Sequence, residues 1–509
     1  MNRTKAASIN AFTVLITQFL GLFLKFAVQT VLIHTLSQSY VGLNGLFANV
    51  ISFLSFADLG IGAAITVALY RPIAEDKTDE IRTLLAFYRK VYFMIGTVIT
   101  VVGIVVAPFL HLAINGNSFS DGQITLWFII YLGGTVATYF SAYKRSFLMA
   151  EQRGYISSVN DFIFKSAQQI SQILALVLAH SFLLFLVAQL VFVVLSNIQL
   201  SWKVSKIHPD LFNNLKSKKM ELQFLNEIKK NVIGSISSKA GAIVVFGTDN
   251  FLLSAFVGLV SVAKYSNYML VIQSLNSIFS QTLSAIIASI GNLNITSDSE
   301  HKENVMFNLM YVNAAMNVFL VTGLGFGINT FIEVWAGPNY GLNYWTVFII
   351  LLNFLVNQFR YTVQNFISGM GLYWQLRWKS LIEASVNFVM SFLLIYFFKM
   401  GILGVVLGTL SSNLLVNAWW EPLIVYKYGL KKSAVPYLFK YVKYMLISAG
   451  ALGASMKLSA ILHLRNIFEL FIILIVVELG VGIIFLVVTY RSHEFKYFVN
   501  LMQSRFSRK

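Results

Sequence analysis

The sequence predicts an all-α polytopic membrane protein with about fourteen transmembrane helices, and three observations carry that prediction. Apolar stretches of about twenty residues or more follow one another from Ala7 to Tyr490 with only short polar interruptions. Hydrophobic residues make up 57% of the chain and charged residues 12%, with a mean hydropathy of +0.71, which a soluble domain of 509 residues could not carry without aggregating. The runs are continuous rather than alternating, so they read as helices, and each is long enough to cross a hydrocarbon core of roughly 30 Å.

The elements follow from where these runs stop. Span one, 8–34, closes at His34 before the turn 37–40, and span two, 41–69, runs up to the charged segment that opens at Arg71. Span three, 89–112, precedes the polar loop 115–123. Span four, 124–147, closes on Lys144-Arg145, span five, 157–179, begins after Arg153, and span six, 182–202, follows His180-Ser181. A long basic segment, 203–230, then separates these six from span seven, 232–256. Spans eight to twelve read 262–291, 305–332, 344–369, 378–398 and 401–421, and spans thirteen and fourteen read 438–460 and 467–490.

The basic N-terminal start is followed by a run longer than a signal-peptide core and without a small-residue cleavage site, so helix one is expected to be retained. No cysteine is present, which excludes disulfides and thiolate metal sites. Most of the 38 Lys and Arg residues fall in 71–90, 144–153, 203–230, 427–443 and 491–509, so the positive-inside rule places both termini in the cytoplasm. The net charge of +17 then reflects juxtamembrane loops beside anionic lipid, not a nucleic-acid surface.

The outer loops are short. A membrane glycosyltransferase or polymerase would need a sizeable external loop carrying catalytic residues, and no phosphate-binding GxxxxGK[ST], zinc-binding HExxH or nucleophile GxSxG pattern is present. The chain reads as a conduit and not an enzyme. Faint repetition supports this: Phe140 and Phe147 recur 219 positions later as Phe359 and Phe366, Tyr155 answers to Tyr373, and the turn at Val41 resembles that at Val262. The expected organisation is two pseudo-symmetric six-helix lobes, 1–202 and 232–426, joined by the cytoplasmic linker 203–231, with helices thirteen and fourteen and a basic tail in 427–509.

The order and spacing of several soft motifs resemble bacterial polysaccharide transporters of the Wzx flippase type. They are His208-Pro-Asp-Leu211, Lys229-Lys-Asn231, Lys239-Ala-Gly through Asp249-Asn250, Phe256-Val-Gly through Tyr268, Ala57-Asp-Leu-Gly-Ile-Gly-Ala-Ala64, and Val386-Asn387 followed by Met400 through Thr409. The resemblance covers nearly the whole chain. It implies the multidrug/oligosaccharidyl-lipid/polysaccharide exporter superfamily, and a flippase that carries an undecaprenyl-diphosphate-linked oligosaccharide across the bacterial cytoplasmic membrane by alternating access, for capsule, exopolysaccharide or O-antigen. The partners expected are the lipid-linked oligosaccharide, membrane lipids and the polysaccharide polymerase machinery. No cofactor or metal is expected, with proton or sodium coupling left open.

A diphosphate cannot cross hydrocarbon unaided, since an unpaired charge at the bilayer centre costs at least about 2.5–3.5 kcal/mol. A cationic cavity would offset this, and Lys25, Lys239, Lys264 and Arg360 lie in otherwise apolar spans. Lys25 and Arg360 are the strongest candidates, with Lys239 in support, whereas Lys264 lies close enough to the outer interface to snorkel. Asp58, expected opposite Lys25, and Asp249 with Asn250 are candidates for counter-charge or ion coupling. Lys239 and Asp249 sit roughly 80° apart around one helix, too far around to touch.

Other features read as structural. Asp161 and Lys165 have the spacing of a local salt bridge, Gly404 and Gly408 that of close helix packing, as do Gly323, Gly325 and Gly327. His34, His111, His180 and His463 fall at outer helix ends as interfacial residues, Trp335, Tyr340, Tyr344 and Trp345 form an aromatic belt, and Glu478 is an intramembrane acid without an evident partner. Two relatives of the expected function stay open: a multidrug exporter, whose cavity should be acidic or aromatic, and a lipid II-type peptidoglycan precursor flippase. A membrane polymerase or glycosyltransferase is the alternative from another class.

Overall fold

A computed structural model describes residues 3–55, 61–115, 119–151, 153–212, 247–284, 290, 293–294, 297–462 and 467–506. Among these residues the secondary structure is helical throughout. Nine helices are long and apolar enough to cross a membrane, and one further pair qualifies if its bent halves form a single span. The chain separates into two compact units, Met1–Ala263 and Lys264–Lys509.

In the first unit, α1 (Arg3–Thr35) packs along α7 (Gly154–Ala179), which packs on α8 (Phe182–Ile207), and α8 packs in turn on α5 (Asp121–Tyr139). α2 (Gln38–Leu54) and α3 (Ile61–Ala74) occupy the span read as continuous; the stretch between them lies outside the described residues. α4 (Thr78–Val106) starts eleven residues before the predicted span three. Its first turns are amphipathic: Asp79 and Glu80 complement the helix dipole while Ile81, Leu84, Leu85 and Tyr88 are buried, a pattern that mean hydropathy overlooks. Pro108 tightens its end into the 3-10 turn Ala107–Ala113. α5 opens on a capping box, in which Ser120 and Gln123 each satisfy the other's backbone N–H.

The predicted fourth span is two helices. α5 stops at Tyr139 and α6 (Ala142–Ala150) leaves at 41°, with a partly closed turn at Phe140 and Ser141. Beyond α8, a helix at 247–256 (α9) ends at Gly258, whose φ of +115° turns the chain into α10 (Leu259–Ser284). A Cβ there would lie 3.1 Å from the Asn115 carbonyl oxygen, so the close approach also needs glycine.

The second unit is built on α11 (Ser299–Ala336), which packs on α12 (Tyr344–Met370), α15 (Val435–Leu462) and α16 (Ile467–Thr489). α13 (Lys379–Tyr396) and α14 (Gly401–Leu430) form its tightest pair. Gly404 and Gly408 permit this, since a Cβ on Gly408 would lie 2.1 Å from Ser391 Oγ and 2.6 Å from its backbone nitrogen. α14 runs nine residues past the predicted span, through π-helical turns at Asn413–Asn417 and Val425–Leu430. The tail carries an amphipathic helix, α17 (His493–Phe506), docked on α11 with Phe498 stacked against Tyr311.

Each unit has one basic and one aromatic end. In the first, Arg82 Nε donates to the Asp210 carbonyl at 3.0 Å and His208 lies 3.1 Å from Glu151, which gathers three predicted cytoplasmic segments. At its other end Tyr40 packs on Phe119, Trp127 and Phe182. In the second, Lys432 pairs with Glu303 at 2.6 Å and Lys440 with Glu494, while Tyr268 bonds Asn329 and accepts from the Leu342 N–H at the opposite end. The alternation of the predicted loops is reproduced within each unit.

Candidate functional site

Two polar constellations lie inside otherwise apolar helices, one in each unit. In the first unit they begin with the lysines of α1 and α7. Lys25 and Lys165 are both exposed, on helices that pack directly against one another, and each falls within the other's electrostatic reach. Among the described residues neither ammonium has a carboxylate at ion-pair distance.

The expected Asp161–Lys165 bridge does not form. Asp161 Oδ2 instead accepts from Arg145 Nη1 at 2.6 Å, and the same nitrogen donates to Ser157 Oγ at 2.9 Å. The bend at Ser141 brings α6 against α7 and gives Asp161 a guanidinium, which outcompetes a lysine on its own helix face. Asn197 of α8 completes the node through Arg145 and Ser141, and Asn160 Nδ2 donates to Ser196 Oγ at 2.8 Å. The consequence is that Lys165, read from sequence as structural, joins Lys25 as a second cation without a carboxylate partner among the described residues.

In the second unit a buried cluster of four charges pairs internally. Arg360 of α12 donates through Nη2 to Glu421 Oε1 at 2.7 Å and through Nε to Glu421 Oε2 at 3.1 Å, a two-pronged contact. Lys379 reaches Glu421 at 2.8 Å and Glu383 at 2.9 Å, and Arg360 lies 3.8 Å from Glu383. Two cations face two carboxylates, so the cluster is neutral. Its remaining bonds go to asparagines: Arg360 Nη1 donates to Asn357 at 2.8 Å and Asn413 at 3.1 Å, and Asn417 donates to Glu383 at 2.6 Å. The first π turn of α14 sets Asn413 and Asn417 on this face together.

Arg360 is thus placed in mid-helix as expected, with its charge matched inside the protein. Sequence reading missed Glu383, Glu421 and Lys379, which fall near predicted span ends where charge is expected to meet water; the Lys379/Glu383 spacing of four was the available signal. The first node ties α6, α7 and α8 together, and the second ties α12, α13 and α14.

Lys264 is half-buried on α10, Asp249 is buried on α9, and Asn250 beside it leaves a buried side-chain oxygen without a partner among the described residues. Lys239 and Asp58 lie outside the described residues. Glu478 of α16 rests its carboxylate against Gly323 of α11, with one oxygen buried and unbonded among the described residues. No group of three His, Asp or Glu side chains that could hold a metal occurs among the described residues.

No family model matches this sequence, and no curated protein matches it. Solved structures do share its fold. The inward closed conformation of the lipid II flippase MurJ aligns with a TM-score of 0.67 at 12% identity, over 94% of this chain and 98% of that one. An inward-facing multidrug resistance MATE family transporter of the MOP superfamily gives 0.62 at 13% identity, over 84% and 99%. A MOP superfamily transporter from Pyrococcus furiosus, described as having a binding pocket of reverse polarity, gives 0.58 at 11% identity, over 85% and 98%. At such identities the likeness is one of fold.

Proposed function

We propose that this protein is a flippase of the bacterial cytoplasmic membrane that moves an undecaprenyl-diphosphate-linked oligosaccharide to the outer leaflet by alternating access. The observation that carries the reading is the pair Lys25 and Lys165, two like charges on adjoining membrane helices with no carboxylate at ion-pair distance among the described residues. Two ammoniums cannot be left in hydrocarbon, so this face needs water and an anion. A diphosphate supplies the anion.

Lys25 and Lys165, with Lys239, are the proposed diphosphate ligands, and the sugars follow the head group while the polyprenyl tail stays in lipid. Arg360 engages the cargo only if it exchanges Glu421 for it, so its proposed part is to hold α12, α13 and α14 together. Lys264 is proposed as a further cation for the cargo, close to the outer interface. Asp58 and Asp249, with Asn250, are proposed for proton or sodium coupling, towards which the membrane potential adds about 2.3 kcal/mol per charge per 100 mV. Normal transport with both ion gradients collapsed would remove that part. The basic end of each unit faces the cytoplasm on this reading.

An exporter of organic cations would call for an acidic or aromatic cavity, where the described residues of the first unit bring two lysines together. The fold likeness to MurJ supports a second reading, a peptidoglycan precursor flippase, which shares the anionic head group. Deleting the gene and probing lipid-linked oligosaccharide from the outer face separates these cases. Intermediates trapped inside, released by the intact protein and not by Lys25→Glu, support the proposal. Loss of viability with lipid II trapped inside favours the second reading, and normal outward appearance of both overturns each.

A further inference from the structure

A groove of about 620 Å³ runs between α5 and α8 in the first unit, outside the Lys25/Lys165 face. Its walls are apolar, formed by Val136 and Ala137 of α5 and Val194 and Ile198 of α8, and its basic end is closed by Lys144, Ser201 and Ser205. Lys144 is only 7% exposed, yet among the described residues no carboxylate pairs with it. Its ammonium donates to the Ser201 carbonyl at 3.0 Å, Ser201 Oγ at 2.6 Å and Ser205 Oγ at 2.8 Å. Arg89 adds a second positive charge within electrostatic reach.

A buried charge is costly unless compensated, and three neutral acceptors leave this one without a counter-ion. Each serine hydroxyl that accepts from the ammonium keeps its own proton to donate. An anion seated over Ser201 and Ser205 would therefore receive two hydroxyl donors with a cation behind them. Trp202, 62% exposed beside the same end with Lys206 over its ring at 5.1 Å, has the placement of a headgroup-level anchor.

We propose that this groove is a binding site for an anionic glycerophospholipid, its phosphate on the Lys144–Ser201–Ser205 donors and an acyl chain along the walls of α5 and α8. Basic pockets between membrane helices at the cytoplasmic side take anionic headgroups in this way. A single-chain groove with one shielded ammonium suits a phosphodiester; the more highly charged polyprenyl diphosphate is matched by the exposed lysines of the other face.

Native mass spectrometry of the full chain in detergent, titrated with phosphatidylglycerol or phosphatidylcholine, tests this. One phosphatidylglycerol should bind at least about tenfold more tightly than phosphatidylcholine, a difference of about 1.4 kcal/mol. Lys144→Gln should abolish that preference, Lys144→Arg should keep it, and Ala137→Trp, which fills the groove, should block binding with the charge intact. Should Lys144→Gln fail to fold, the Ser201→Ala/Ser205→Ala double variant reads the same contact. Equal binding of the two lipids, or an unchanged preference in folded Lys144→Gln, overturns the site. Displacement by free glycerol 3-phosphate with Ala137→Trp unaffected would show a phosphate site without a lipid, and tighter binding of undecaprenyl phosphate would assign the groove to the cargo; either overturns the proposal.

Discussion

Glu421→Gln changes one oxygen for an amide nitrogen and should be among the most destabilising substitutions in the second unit. Three contacts in the buried four-charge cluster are shorter than 3 Å, and Glu421 makes two of them, to Arg360 at 2.7 Å and Lys379 at 2.8 Å. Without it, two cations share the single carboxylate of Glu383. Breaking a buried pair by removing one partner costs about 3–5 kcal/mol, and the loss of two contacts puts this variant at the upper end. Glu383→Gln gives up one contact at 2.9 Å and one at 3.8 Å, so it should lie near the lower figure. The assay is unfolding of the purified protein in mixed micelles as the SDS fraction rises, followed by circular dichroism. Glu421→Gln combined with Arg360→Gln should cost less than the two separate losses by about 2 kcal/mol, within the range of direct couplings. A loss below about 1 kcal/mol for Glu421→Gln, the value of a solvent-screened pair, would refute the argument and return Arg360 to the list of free cations.

Lys165→Met should leave folding and yield unchanged, because Asp161 is already held by Arg145, while outward appearance of the lipid-linked oligosaccharide falls about tenfold, equivalent to about 1.4 kcal/mol; full transport would remove Lys165 from the anion site. Gly408→Val forces a side chain against the Ser391 backbone and should cost about 1–3 kcal/mol or more in the same SDS titration, with neutrality showing that α13 and α14 stand further apart. Ser120→Ala should lose about 1 kcal/mol and speed hydrogen exchange at the start of α5, an effect confined to the first turn.

The helical membrane architecture was legible because a bilayer demands long apolar runs, and it leaves few alternatives once those runs are seen. What hydropathy did not show is what lies at its margins. The amphipathic opening of α4 and the extension of α14 to Leu430 bury one face only, so their mean apolarity falls below that of a span. The break at Ser141 is a tertiary event, stabilised by Asn197 fifty-six residues away. The site divided in the same manner: that Lys25 and Arg360 are intramembrane cations is plain from composition, but which of them is neutralised depends on Glu421, Glu383 and Arg145 arriving from other helices. The spacing of Asp161 and Lys165 misled because local geometry proposes a pair that a better donor, reached only through folding, then takes.

The π turn at Asn413–Asn417 makes the ion cluster a matter of counting as much as chemistry. A π turn holds one residue more than the α-helical ladder around it, so every side chain beyond it is rotated by roughly 100° from where a regular helix would put it. Glu421 lies beyond it. Deleting one residue in the turn, such as Leu414, would regularise the helix and leave Glu421 facing Arg360, whereas inserting one residue between Asn417 and Glu421 would carry the carboxylate off Arg360 without altering any charge. The stretch from Asn413 to Glu421 is in this sense a spacer that already carries its one spare residue, so that it can absorb a loss but not a gain.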